Sequence, residues 1–139
     1  MEPLHLAHVI LVSVWGGFVM AEGVLELTSR EEVALRVAAR VHYWMDLLAE
    51  LPLLAGVLLT GTVLAVRAWP LSTLHWVKIA AGLIAIGANL TCVLVVILRY
   101  RRLDDRASLF RHSRHVRLTG VGVPCAWLAA YLGLACFRQ

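Results

Sequence analysis

The chain has 139 residues, of which 60% are hydrophobic, and its mean hydropathy is +0.78. This length predicts a single domain. The apolar share is too high for an ordinary soluble domain and predicts an integral membrane protein. The formal net charge of +4 does not indicate nucleic-acid binding, because ten of the thirteen Lys and Arg residues fall in two short connections between apolar segments.

Four apolar segments are long enough to cross the ~30 Å hydrocarbon core of a bilayer as helices. They predict helices over about 3–27, 41–66, 73–99 and 115–137, with a separate short helical run over 31–40. The expected fold is therefore all-α, a polytopic membrane protein that forms a four-transmembrane-helix bundle over residues 1–139. Glycines, among them Gly16-Gly17, Gly56 with Gly61, and Gly122, are expected to allow close helix contacts.

The arginines predict how the chain crosses the membrane. Three lie in the first connection, at 30–40, and seven lie in or beside the third, at 99–117. In a four-span chain these connections share one face, which the positive-inside bias places in the cytoplasm. The prediction is a protein of the cell inner (plasma) membrane, with the lipid bilayer around it and both termini outside.

Ionisable residues inside spanning helices usually face the bundle interior. Their depth along the predicted helices sorts them into two layers. The outer layer consists of His8, His75 and Lys78, with His5 at its mouth. The inner layer consists of Glu22, His42, Asp46, Glu50 and Asn89, closed by His112 or His115.

The three carboxylates of the inner layer cannot all be buried and ionised without cations. They must be protonated, paired with arginines such as Arg40 and Arg117, in contact with water, or bound to a metal. Glu26 lies one turn from the end of its helix and is expected to reach the interface instead. Trp15 is expected to act in part as an interfacial anchor, as other tryptophans in membrane helices do.

Two chemistries fit these layers. Opposed histidines on different helices can hold haem b, and His8 with His75 suits that role, as does His42 with His112 or His115. The inner layer also suits a transition metal such as Fe, Mn or Zn, although the Glu-x-x-His pairs of carboxylate-bridged bundles are absent. Alternatively, the same groups could relay protons or bind a quinone head group.

Short motifs resemble the HemJ and CopD-like group of small four-helix membrane proteins. His8 precedes Trp15 by seven residues, Leu74-His75-Trp76-Val77-Lys78 opens the third helix, and Val123-Pro124 lies in the last. The chain lacks the Pro-Arg pair after the first Trp-x-x-Gly. The resemblance implies haem-associated protoporphyrinogen oxidase activity or a link to copper, with His8 and Lys78 as candidate cofactor residues.

The leading hypothesis is a membrane haem- or metal-binding redox protein, an oxidoreductase that could use a quinone or another electron-transfer partner. The alternative is a non-enzymatic metal or proton carrier, or a subunit of a homo-oligomer or larger membrane complex.

Overall fold

The computed structural model describes residues 2–120 and 122–136, with the backbone alone for 134–136. In chain order the elements are α1 (Pro3–Thr28), α2 (Glu32–Met45), a π-helical turn (Asp46–Glu50), α3 (Leu51–Arg67), α4 (Thr73–Tyr100), α5 (Arg106–Thr119) and α6 (Gly122–Cys136). Phe137, the expected end of the last helix, lies outside the described residues.

Within the described ranges, four helical stretches are long and apolar enough to cross a membrane. They are α1, the continuous helix from α2 through α3, α4, and the run from Arg106 to Gly133. The predicted all-α four-helix bundle is thus confirmed. The length and apolarity of these helices identify a multi-pass membrane protein.

The second span is longer than predicted. It runs from Glu32 to Arg67 without a break over 36 residues, or ~54 Å at the usual rise per residue. The separate helical run expected over 31–40 is therefore the first part of this helix, because the sequence offers no Gly or Pro between 32 and 51 to interrupt it. This length exceeds the ~30 Å hydrocarbon thickness of a bilayer.

The N-terminal part of α2 packs against α5. Leu35, Ala39 and Leu109 form a small buried core there, covered by Leu103. The last span had been predicted to begin at about 115, but a helix already begins at Arg106 and a second one begins at Gly122. The arginine-rich end of the molecule is thus a folded layer that has its own core.

Asp105 explains where α5 begins. Its carboxylate accepts hydrogen bonds from the backbone N–H groups of Ala107, at 3.0 Å, and Ser108, at 3.3 Å, as an N-cap residue does. Hydrogen bonding from the Ser108 side chain and backbone lowers the pKa of the Asp105 carboxyl below its ordinary value. The sequence reasoning had overlooked this cap.

The membrane-spanning part of the bundle has a core between four helices. Trp15 of α1, Leu54 of α3, and Ala85 with Ile86 of α4 form it, and Cys125 of α6 packs against them. Trp15 is only 6% exposed, so its expected role as an interfacial anchor was wrong. The indole fills the centre of the bundle instead.

Only some of the predicted glycine contacts form. A Cβ built on Gly56 would lie 3.1 Å from Leu11 of α1, and one on Gly122 would lie 2.6 Å from Ala88 of α4. Gly16 and Gly17 have no neighbouring heavy atom within 4 Å of such a Cβ. Glycine therefore permits close approach between α1 and α3 and between α4 and α6, but the Gly16-Gly17 pair does not contribute to packing.

Candidate metal centre

Most of the predicted inner layer comes together in the structure as one buried polar cluster. We call it the inner cluster. Its members come from α1, the α2–α3 helix and α4, and they are Glu22, Glu26, His42, Asp46, Glu50, Asn89 and Arg99. It lies near the C-terminal ends of α1 and α4, where the membrane-spanning bundle meets the arginine-rich layer.

His42 is at the centre of the inner cluster. Its Nδ1 atom lies 2.8 Å from Oε1 of Glu26. On the other side of the ring, Nε2 lies 3.3 Å from Oε2 of Glu22 and 3.9 Å from Oδ1 of Asp46. With Glu26 accepting the Nδ1 proton, Nε2 faces the two remaining carboxylates. Helical periodicity explains this arrangement, since residues four apart on a helix share a face.

Arg99 and Glu26 form an ion pair that the sequence reasoning missed. Two guanidinium nitrogens of Arg99 donate to the two oxygens of Glu26, at 2.6 and 2.9 Å. Arg99 is 0% exposed and Glu26 is 2% exposed, so the expectation that Glu26 reaches the interface was wrong. Such a bidentate geometry fixes the carboxylate in place beneath His42.

The two arginines named as possible partners of the inner carboxylates do not pair with them in the described structure. Arg40 is exposed. Arg117 instead donates to the backbone carbonyls of Glu26, at 3.2 Å, and Ser29, at 2.9 Å. Arg99 takes their place, and it also donates to the Ser113 hydroxyl of α5, at 3.2 Å.

A π-helical turn carries the other two acids. The N–H of Leu51 donates to the carbonyl of Asp46, five residues earlier, and Pro52 follows with no N–H to continue the regular ladder. Asp46 and Glu50, at the two ends of this turn, are each 1% exposed. One-turn π-bulges of this kind are frequent at functional sites.

Several ligand atoms of the cluster are buried without a hydrogen-bond partner among the described residues. They are Oε1 of Glu22, Nε2 of His42, both carboxylate oxygens of Asp46, and Oε1 of Glu50. Buried polar groups are normally satisfied, and a buried charge is costly unless it is paired. These atoms are therefore the part of the cluster that its hydrogen bonds leave unsatisfied.

The charges of the cluster do not balance. It has four carboxylates, while Arg99 and His42 are its only cationic side chains in the described structure. Even with a protonated His42, at least two carboxylates lack a cation. A proton or a metal ion must neutralise them, because buried like charges at this separation cannot all stay ionised.

Three of these groups lie close enough together to be compared with the ligands of a metal ion. Glu22, His42 and Asp46 each offer one ligand atom, and these atoms all lie within 4.8 Å of one another. Two ligands each about 2.0–2.2 Å from one ion are at most ~4.4 Å apart. The 3.3 and 3.9 Å separations from His42 satisfy that limit, whereas the 4.8 Å bound that covers the pair of Glu22 and Asp46 is wider than it.

Glu50 and Asn89 extend the cluster deeper into the bundle. The Asn89 amide donates to Oε2 of Glu50 at 2.9 Å. This contact joins the α2–α3 helix to α4 and confirms the expectation that the two residues meet. It leaves the other oxygen of Glu50 available on the side of Asp46.

The histidines expected to close the inner layer lie elsewhere. His115 is exposed and lines an apolar groove with Ala88 and Leu118. The Nδ1 atom of His112 lies 2.7 Å from the carbonyl of Ser108, within its own helix. Placing His112 or His115 in the inner layer was therefore wrong, since α5 directs Ser113 toward the cluster instead.

In the outer layer, the two histidines predicted to act together have different hydrogen-bond partners. Nδ1 of His8 lies 2.8 Å from the hydroxyl of Thr60 on α3, whereas Nδ1 of His75 lies 2.7 Å from the hydroxyl of Ser72. We find no hydrogen bond, ion pair or ring contact that joins these two histidines in the described part of the chain. Lys78 packs near Gly133 of α6.

Comparison of the chain with profiles of known protein families, with curated protein sequences and with solved structures gave no significant match. The HemJ and CopD-like resemblance stays a prediction.

Proposed function

We propose that this protein binds a divalent first-row transition-metal ion within the membrane, with Glu22, His42 and Asp46 as ligands. The observation that carries the proposal is that Glu22, His42 and Asp46 each offer one ligand atom, all within 4.8 Å of one another. Nε2 of His42 and both carboxylate oxygens of Asp46 are buried there without a hydrogen-bond partner among the described residues. A metal ion would supply the missing positive charge and satisfy those atoms together.

The surroundings of His42 support this assignment. Metal-binding histidines usually donate their other ring N–H to a carboxylate, which fixes the tautomer and raises the basicity of the ligand. Glu26 occupies that position, and Arg99 holds both of its oxygens.

The types of ligand atom limit which metals would fit the proposed site. One imidazole nitrogen and carboxylate oxygens suit Fe, Mn or Zn better than they suit soft metals. Iron or manganese would support the redox role that the sequence analysis favoured, whereas zinc would support a carrier or a structural role. A haem between His8 and His75, a quinone or electron-transfer partner, and assembly into a larger complex stay predictions.

Asp46→Asn is the first test of the metal site. It keeps the shape of the side chain but removes an anionic ligand, so the affinity for the metal should fall at least tenfold, which corresponds to about 1.4 kcal/mol of binding free energy. Metal stoichiometry of the purified protein, measured by elemental analysis after loading with Mn²⁺, Fe²⁺ or Zn²⁺, reports the change.

Glu31→Gln is the matched control, because it removes the same charge from an exposed carboxylate. It should leave metal content unchanged. Equal occupancy in the wild type and in Asp46→Asn would remove the inner cluster from consideration as a metal site.

Proton carriage is the second candidate. The line from Glu22 through Asp46 to Glu50 and Asn89 leads from the end of the bundle toward its middle, and acids in such lines serve as proton relays in membrane proteins. In vesicles, a proton flux that is unaffected by metal chelation and is lost in Glu50→Gln would favour this function over metal binding.

We further propose that the protein lies in the plasma membrane with its arginine-rich layer in the cytoplasm and both termini outside. The exposed arginines of α2 and α5 collect at one end of the bundle, as the positive-inside bias requires.

A further inference from the structure

A basic cavity opens in the arginine-rich layer, apart from the metal ligands. It lies between the α1–α2 connection, α2 and α5, and its volume is about 280 Å³. Its lining consists of Arg30, Leu35, Phe110, Ser113, Arg114 and Arg117. Three of these six side chains are cationic and none is acidic.

Two of the three arginines have no described partner. Arg30 and Arg114 are exposed, and no hydrogen bond or ion pair to either occurs among the described side chains. Arg117 is held by the backbone carbonyls of Glu26 and Ser29, which carry no formal charge. The positive charge in the cavity is thus not neutralised by a neighbouring acid.

Other arginines of the same layer behave differently. Arg36 and Arg106 both pair with Glu32, at 2.9 and 3.2 Å, and Arg36 also reaches Asp104. Glu32 and Asp104 therefore compensate two arginines that lie outside the cavity. The cavity differs from the rest of the layer because three arginines surround one space that also has an apolar wall.

The remaining walls combine apolar and polar surface. Leu35 is fully buried and Phe110 is half-exposed, so one side of the cavity is hydrocarbon. Ser113 is 2% exposed and accepts a hydrogen bond from Arg99, which leaves its hydroxyl hydrogen free to point elsewhere. The cavity thus offers guanidinium and hydroxyl donors beside an apolar surface.

We propose that this cavity binds the phosphate group of an anionic membrane lipid. Guanidinium groups match phosphate oxygens in geometry and charge, and basic pockets at the cytoplasmic side of membrane helices suit anionic head groups. The apolar wall of Leu35 and Phe110 would lie beside the hydrocarbon part of the lipid. This proposal does not depend on the metal proposal, since the two sets of residues differ.

The test uses the full chain purified in detergent, with bound lipid counted by native mass spectrometry. Phosphatidylglycerol should bind at least tenfold more tightly than phosphatidylcholine. The double variant Arg30→Gln/Arg114→Gln should lose that preference. Its matched control is Arg101→Gln/Arg102→Gln, which removes the same charge from the same end of the bundle at exposed positions and should keep the preference.

Each outcome has a distinct meaning. Equal loss in both double variants would overturn the site, because net charge alone would then explain binding. If inorganic phosphate displaced all of the bound phosphatidylglycerol, the cavity would still be a phosphate-binding site. The proposal that a lipid supplies the phosphate would then be overturned. Metal content should be unchanged in Arg30→Gln/Arg114→Gln. Failure of the lipid-binding proposal would then not affect the metal proposal.

Discussion

Arg99 is the most deeply buried charged residue in the described part of the chain. Its partner, Glu26, lies 73 positions earlier in the sequence. A buried guanidinium is tolerated only when a carboxylate compensates it with good geometry. The pair links α1 to α4, and through Ser113 it links both to α5. It therefore has a structural role as well as its role beneath His42.

Arg99→Met should destabilise the protein by about 3–5 kcal/mol, because it leaves the Glu26 carboxylate buried without its cation. The double variant Glu26→Gln/Arg99→Met should recover a large part of that loss, since neither charge then remains. Chemical unfolding in detergent, followed by circular dichroism, measures both changes in the free energy of unfolding.

The exposed ion pair between Arg67 and Glu2 is the control for this experiment. Breaking it with Arg67→Met should cost no more than about 1 kcal/mol, as for other solvent-exposed pairs. If Arg99→Met cost as little as Arg67→Met, water or another group would have to neutralise Glu26, and the buried pair would be unimportant for stability.

At the level of whole helices, close packing depends on a few small residues. Gly122, the first residue of α6, lies directly against Ala88 of α4. Without a hydrophobic drive between helices in lipid, such close contacts are a main source of association. The core of Trp15, Leu54 and Ile86 then fills the space between the helix pairs.

Gly122→Ala should destabilise the bundle by about 1–3 kcal/mol, the usual cost of overpacking, because the added Cβ would lie 2.6 Å from Cβ of Ala88. Ala88→Gly in the same chain should restore stability by removing the opposing methyl group. Thermal unfolding of the purified variants is the measurement.

Gly16→Ala is the matched comparison in another helix. No heavy atom lies within 4 Å of the added Cβ, and alanine favours helix more than glycine does by up to about 1 kcal/mol. This variant should therefore be neutral or slightly stabilising. Equal destabilisation by Gly16→Ala and Gly122→Ala would contradict the predicted contact between α4 and α6.

For the molecule as a whole, the position of the arginine-rich layer decides the orientation in the membrane. A cysteine in place of Asp104, which is exposed, should react with an impermeant thiol reagent only after the cells are permeabilised. A cysteine in place of Ser72, at the opposite end of the bundle, should react in intact cells. The experiment uses a background in which Cys92, Cys125 and Cys136 are replaced by alanine.

The reverse labelling pattern would place the arginine-rich layer outside and overturn the proposed topology. It would also place the basic cavity opposite a leaflet that has less anionic lipid, so the lipid-binding proposal would lose its physiological partner. The metal site would be unaffected, since its ligands are the same in either orientation.

Sequence alone was sufficient for the fold class and for much of the inner cluster. Bilayer thickness fixes the length of a spanning helix, so hydropathy located the four spans. The helical period fixes which side chains share a face, so the spacing of His42, Asp46 and Glu50 predicted that they would point inward together. Their burial to 2% exposure or less agrees with that expectation.

Only the tertiary structure decided which groups meet. Arg99 has the sequence context of a topology signal near a helix end, and Glu26 has that of an interfacial acid, yet they pair across 73 positions. Likewise, His8 lies within hydrogen-bond distance of Thr60 of α3. Ser113, and neither His112 nor His115, contacts the cluster from α5. The period of a helix determines which of its own side chains share a face. Which side chains on different helices meet depends on the rotation and register of those helices. Rotation and register are set by packing contacts between residues that are distant in sequence.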